Sequence, residues 1–343
     1  MPGVTLAKGL DVPLAPFSEI PLIDLSGLER PGERLRVAEA IGVAARDVGF
    51  LYVTHHGLPQ AVTDAAFAAA RAFFAQPAEV KQRLYRTEAG GFRGYRGPFG
   101  QNYDPSRQLS NNENYFAWLD PPLGHRLADP SLPLVAPNLW PEELPAFRSA
   151  LEAYMAAAMT LSRRLLQAFA SALDLEETAF DSLIEAPLGT LSLNRYPIQE
   201  GHIGHEVLGI SEHSDYGLLT LLAQDEVPGL QVMNAKGEWI GAPPLPGALV
   251  VNLGQQMERL TNGLFKATAH RVVNASGRER LSLPFFLEPS WDAEIAVLPA
   301  CASAERPAAY ASEQAGPYYL RILQRSHAAI PEAMRAHIGD EAV

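Results

Sequence analysis

The stretch "SEHSDYGLLTLLAQD", Ser211–Asp225, sets His213 and Asp215 two positions apart, just ahead of an apolar run. On an extended strand, side chains two apart share a face, so this spacing turns an imidazole and a carboxylate the same way. Two polar groups of that kind either cap a turn or form two arms of a larger constellation. Three similar features surround them. Asn194 and Tyr196 alternate in "LSLNRYP", Arg280 and Ser282 alternate in "RERLSLPFF", and His270 stands alone at the head of "HRVV".

The chain around these motifs reads as many short strands. Between Leu188 and Leu287, "TLSLNRY", "LLTLLA", "LQVM", "ALVVNLG", "HRVV" and "RLSLPFF" are separated by Pro228-Gly229, Lys236-Gly237, Pro246-Gly247, Asn262-Gly263 and Ser276-Gly277. That punctuation predicts a sandwich or jelly-roll barrel. Upstream, "EIPLIDLSGL" and "VGFLYVTHHG" read as strands, with helices over about 31–48 and from Pro59 to Pro77. The segment from Gly90 to Asp120 is rich in Gly, Asn and aromatics and reads as loops. The strongest helix runs from Pro141 to about Leu173, where Phe147, Leu151, Tyr154, Ala158, Leu161, Leu165 and Phe169 recur at three- and four-residue steps. "GPYYLRILQRS" predicts a closing helix.

Composition sets outer limits. The chain has 343 residues, 47% hydrophobic and 19% charged, enough for a sizeable core. No apolar run reaches the ~18 residues that cross a bilayer. The formal charge of −12 disfavours nucleic acid and anionic membranes as partners. The N-terminus lacks a basic start and apolar core, and the single cysteine, Cys301, suits a reducing compartment. The expectation is a cytoplasmic protein, with Cys301 a packing residue.

Taken singly, each motif has a plain structural explanation. A His-x-Asp at a strand edge is common, a lone histidine is usually a satisfied core residue, and an arginine is usually a surface cation. Together, two histidines and a carboxylate on a rigid barrel would make a facial triad that leaves iron positions open. In order and spacing, the chain resembles the isopenicillin N synthase-like family of Fe(II)/2-oxoglutarate-dependent dioxygenases. The resemblance runs over nearly the whole length. It is carried by "IPLIDLSGL", "VGFLYVTHHGLP", "FFAQPAEVKQ", "NRYP", "HSDYGLLTLLAQDEVPGLQV", "GALVVNLGQQMERLTNGLFKATAHRV" and "RLSLPFFLEP".

The resemblance implies a mainly β fold with flanking helices: a double-stranded β-helix, or jelly-roll, core with an N-terminal helical and strand region. The regions expected are 1–125 (N-terminal), 126–187 (helical connection), 188–300 (jelly-roll core) and 301–343 (helical closure). His213, Asp215 and His270 match iron ligands. Arg280, Ser282 and Tyr196 match the groups that hold the distal carboxylate of 2-oxoglutarate, with Asn194 beside it. The cosubstrates implied are 2-oxoglutarate and O2. The reaction implied is hydroxylation, desaturation or oxidative cyclisation of a small molecule, begun by hydrogen abstraction and releasing succinate and CO2. Candidate substrate residues are Arg93, Tyr95, Asn112, Asn114, Phe116 and Phe286.

Two features depart from the pattern or compete with it. Gln255 and Gln256 stand where many relatives carry an acidic residue, and "EGHIGHE" holds a second pair, His202 and His205, which reads as a Gly-rich loop rather than a rival metal site. Two other functions stay open: an iron oxidase of the same fold that uses no 2-oxoglutarate, and a non-catalytic binding barrel. The complete ligand set argues against the second.

Overall fold

The computed structural model describes residues 4–327, other than Leu123, Pro130 and Pro133. Strands of three residues or more are β1 (Leu22–Asp24), β2 (Phe50–Thr54), β3 (Gly94–Arg96), β4 (Glu113–Trp118), β5 (Thr190–Tyr196), β6 (Ile210–His213), β7 (Leu219–Gln224), β8 (Leu230–Met233), β9 (Trp239–Gly241), β10 (Leu249–Leu253), β11 (His270–Val272) and β12 (Arg280–Leu287). Helices are α1 (Arg34–Asp47), α2 (Gln60–Phe74), α3 (Ala78–Gln82), α4 (Pro145–Ser171), α5 (Gln255–Leu260) and α6 (Ala315–Ser326).

Two sheets carry the molecule. The larger has the order β1-β2-β10-β7-β12-β5-β4-β3, and the smaller β6-β11-β8-β9. Every pairing within them is antiparallel except β1 with β2. This is a jelly-roll core with flanking helices. The large sheet takes strands from 1–125 and from 188–300, so one sheet crosses both sequence regions.

The large sheet has two unlike faces because side chains alternate along each strand. Odd-numbered residues such as Tyr115, Leu193, Leu221, Val251, Leu283 and Phe285 pack into the main core. The same core takes the stripe of α4, Phe147 to Phe169, and the Ala66, Ala70 and Phe73 face of α2. Even-numbered residues turn the other way, into the space between the sheets. Asn112, Asn114 and Phe116, then Ser192, Asn194 and Tyr196, then Arg280, Ser282, Pro284 and Phe286, line one cavity.

Two elements differ from the sequence reading. The segment read as loops, Gly90–Asp120, carries β3 and β4 and forms the edge of the large sheet. "QQMERL" forms the helix α5, whose six residues are too few to show a helical period against the strands around them. Cys301 is buried, as expected of a packing residue.

Candidate active site

A cavity lies between the sheets, lined from both of them. At one point on its wall His213, Asp215 and His270 bring one ligand atom each within 4.8 Å of one another. Among the described residues this is the one such grouping of His, Cys, Asp and Glu. Asp215 Oδ1 lies 3.7 Å from His213 Nε2 and 3.6 Å from His270 Nε2.

Cross-strand register builds this point. His213 on β6 and His270 on β11 are directly opposed in the small sheet. Each ring nitrogen Nδ1 faces a carbonyl, Ser211 O at 2.8 Å and Thr268 O at 3.2 Å. A carbonyl only accepts, so both Nδ1 atoms carry a proton, and both Nε2 atoms are turned toward Asp215. On the large sheet, Thr220 and Asn252 are likewise opposed, on β7 and β10. Both donate to Asp215 Oδ2, from Thr220 Oγ1 at 2.5 Å and Asn252 Nδ2 at 2.7 Å. That leaves Oδ1 turned to the histidines.

Electrostatics favour the same state. Burial pushes the Asp215 carboxyl up, but the two histidines and the two donors outweigh it and hold it below its ordinary value. Burial, then the neighbouring His270, pulls His213 down to about 3, so its imidazole is neutral. Two imidazoles and one carboxylate suit a divalent transition metal of intermediate softness. Tyr103, which the sequence reading missed, lies flat on His213 with ring centroids 3.8 Å apart and planes at 8°. It sits in a loop without periodicity, so no pattern pointed to it. Thr220 and Asn252 were also missed. The signal for them was a polar residue inside an apolar strand.

A second polar point lies at the β5–β12 pair, where Arg280 faces Tyr196 and Ser282 faces Asn194. Arg280 is fully buried. Its Nε donates to Val227 O at 3.1 Å and its Nη2 to Gln224 Oε1 at 2.8 Å, while Nη1 has no partner. The guanidinium carbon stands 4.8 Å from the Tyr196 ring centre. The hydroxyls of Tyr196 and Ser282 lie 3.2 Å apart, and burial keeps the Tyr196 phenol protonated. A buried cation with a free N–H beside two hydroxyls fits one carboxylate.

The remaining expected residues divide by pleat. Asn112, Asn114, Phe116 and Phe286 line the cavity. Tyr95 and Arg93 do not, a correction to their expected place at the substrate. Tyr95 is opposite Tyr115, on the face that meets the helical core, and its hydroxyl donates to Glu113 Oε2 at 2.6 Å. Arg93 is buried with its Nη1 donating to Leu134 O at 2.6 Å and its guanidinium carbon 5.0 Å from the Trp118 ring centre. His202 and His205 are tied to Thr5 and to Lys8 O, apart from the triad. Gln255 donates to Ser214, between two members of the triad, at 2.9 Å.

A jelly roll with this pair of polar points defines a class, the metal-dependent oxygenases. Residues 20–143 match the family model described as non-haem dioxygenase in morphine synthesis N-terminal, and residues 189–289 match the 2OG-Fe(II) oxygenase superfamily. The 2-oxoglutarate-Fe(II) type oxidoreductase ppzC of Metarhizium rileyi is 38% identical over 288 residues, 78% of this chain and 77% of its own. A homoarginine-6-hydroxylase of Glycine max is 32% identical, over 81% of this chain and 88% of its own. Among solved structures, a 2OG-Fe(II) oxygenase family protein from Caulobacter crescentus superposes with a TM-score of 0.78 at 32% identity, covering 89% of this chain and 98% of its own. The chain belongs to the Fe(II)/2-oxoglutarate-dependent oxygenase family and is an enzyme of that class. No helix among the described residues is long and apolar enough to cross a membrane.

Proposed function

We propose that His213, Asp215 and His270 hold the iron, that Arg280, Ser282 and Tyr196 take the distal carboxylate of 2-oxoglutarate, and that the enzyme oxidises a small metabolite. The observation that carries this reading is the convergence of two opposed histidines on an oriented carboxylate oxygen, with the free Nη1 of Arg280 in the same cavity. Iron, 2-oxoglutarate and O2 supply oxidative decarboxylation to succinate and CO2, coupled to hydrogen abstraction from the substrate. The chain's own residues orient and exclude water. Thr220 and Asn252 keep Asp215 Oδ1 aimed at the metal position, and the two backbone carbonyls hold each ring with Nε2 toward it. Asn194, opposite Ser282, lies beside the cosubstrate. Asn112, Asn114, Phe116 and Phe286 remain as the substrate wall.

The test is anaerobic titration of the Fe(II) protein with 2-oxoglutarate, followed by the visible charge-transfer band of the chelate. A saturable band, lost in His213→Ala, is expected. No band in the wild-type protein, with full iron present, would overturn the assignment and favour the oxidase that uses no 2-oxoglutarate.

A further inference from the structure

One side of the cavity, and the side chain behind it, hold polar groups that neither iron nor 2-oxoglutarate accounts for. Arg86 is fully buried. Its Nη2 donates to Gln101 Oε1 at 2.9 Å, its guanidinium carbon lies 4.0 Å from the Phe116 ring centre, and its Nε and Nη1 have no partner. Among the described residues no carboxylate pairs with it, and the charge of Arg96 acts on it. Burial lowers its pKa to about 9, so it remains a cation at neutral pH.

Gln101 Oε1 accepts a second hydrogen bond, from Asn114 Nδ2 at 3.2 Å. Two donors on one amide oxygen decide which way that amide faces. Gln101 therefore has its NH2 to offer, and Asn114, its NH2 used, keeps a buried Oδ1 with no donor. Gln101, Asn114 and Phe116 all line the cavity. Buried polar atoms without partners are rare, because each gives up hydration for nothing. Here Asn114 Oδ1 belongs to a cavity-lining residue, and Arg86, with Nε and Nη1 unpartnered, stands behind the lining and is joined to Asn114 through Gln101 Oε1. A carboxylate answers the Gln101 NH2 and the positive charge behind it. An N–H or O–H on the adjacent carbon answers Asn114 Oδ1.

We propose that this wall selects the substrate and that its class is an α-amino or α-hydroxy acid, carboxylate toward Gln101 and amine or hydroxyl toward Asn114 Oδ1. Arg86 is a positioning residue: it fixes the Gln101 amide and supplies the charge without touching the reacting carbon. Phe116, lying on the Arg86 guanidinium, gives the substrate a flat apolar neighbour. This assignment rests on the reading that places 2-oxoglutarate at Arg280, which leaves this wall for the substrate.

The test keeps the Fe(II)- and 2-oxoglutarate-loaded protein anaerobic and adds L-homoarginine, L-phenylalanine or mandelate, each beside its own carboxamide. Binding is read as a concentration-dependent rise in Tm. At least one acid should bind, with its carboxamide at least tenfold weaker. In Arg86→Met and in Gln101→Leu that preference should collapse toward one, Arg86→Lys should restore part of it, and the 2-oxoglutarate band should persist in all three. The proposal is overturned if no acid raises Tm, if both variants keep the preference, or if Arg86→Met loses the 2-oxoglutarate band. Should Arg86→Met fail to fold, Gln101→Leu, at a half-buried position, decides alone. Absence of the band in the wild-type protein overturns the Arg280 assignment instead.

Discussion

Arg280 and Arg86 are both fully buried, both lie over an aromatic ring, and both keep an unpartnered Nη1. They reach that state by different routes. Arg280 opens β12 in the middle of the large sheet, where register sets Tyr196 opposite it and Ser282 opposite Asn194. Arg86 follows α3 outside any regular element and depends on Gln101, itself in a loop, for its one side-chain bond. Sheet geometry dictates the first site, down to which residues can share it. The second takes Asn114 and Phe116 from β4 but Arg86 and Gln101 from connecting segments, which can change residue by residue without disturbing the barrel. One cavity thus joins a wall set by topology to a wall set by local sequence.

Breaking the first wall should have the largest effects. Asp215→Ala leaves two imidazoles without their carboxylate, and metal analysis should find no stoichiometric iron and no succinate formed above background. Arg280→Leu should leave iron in place but raise the 2-oxoglutarate KM roughly 100-fold, the loss of a charged hydrogen-bonded pair of about 3 kcal/mol. An unchanged KM would mean the cosubstrate is anchored elsewhere. Asn252→Leu removes one of two donors to Asp215 Oδ2 and should weaken iron binding about tenfold, as losses behind a ligand do.

The smallest effect belongs to the back of the second wall, where Glu113 on β4 meets Lys81, Tyr95 and Arg195. Burial pushes its carboxyl up, yet hydrogen bonds from Lys81, Tyr95 and Arg195 outweigh burial and hold it below its ordinary value. A depressed folded value means stability present above the unfolded pKa of about 4.3 and lost as pH falls through the folded one. Tm should therefore drop between about pH 5 and 3 by more in the wild-type protein than in Glu113→Gln.

This contrast also explains what could be read from the chain. Asn194/Tyr196 and Arg280/Ser282 were legible because period two puts each pair on one face, and the strands bearing them meet in register. His213/Asp215 was legible from motif order alone, since β6 ends at His213 and Asp215 lies just past it, outside the strand on which the spacing argument relied. The same rule, applied to Asn252 and Thr220, would have found the groups behind Asp215. It failed at Tyr95 because the segment read as loop is in fact β3 and β4. With the strand recognised, alternation separates Asn114 and Phe116, facing the cavity, from Tyr95 and Tyr115, facing the helices. Arg86 and Tyr103 had no such signal, since their neighbours in space are remote along irregular chain.

The opposed pairs at Asp215 have a mechanical consequence. His213 and His270 belong to the small sheet, whereas the carboxylate is fastened by Thr220 and Asn252 of the large one. An ion held by all three acts as a rivet through both leaves of the sandwich. The gap between the leaves then gauges how well the metal is gripped. Repacking that widens the gap, even far from any ligand, loosens the rivet, and loading the ion stiffens the whole barrel against opening.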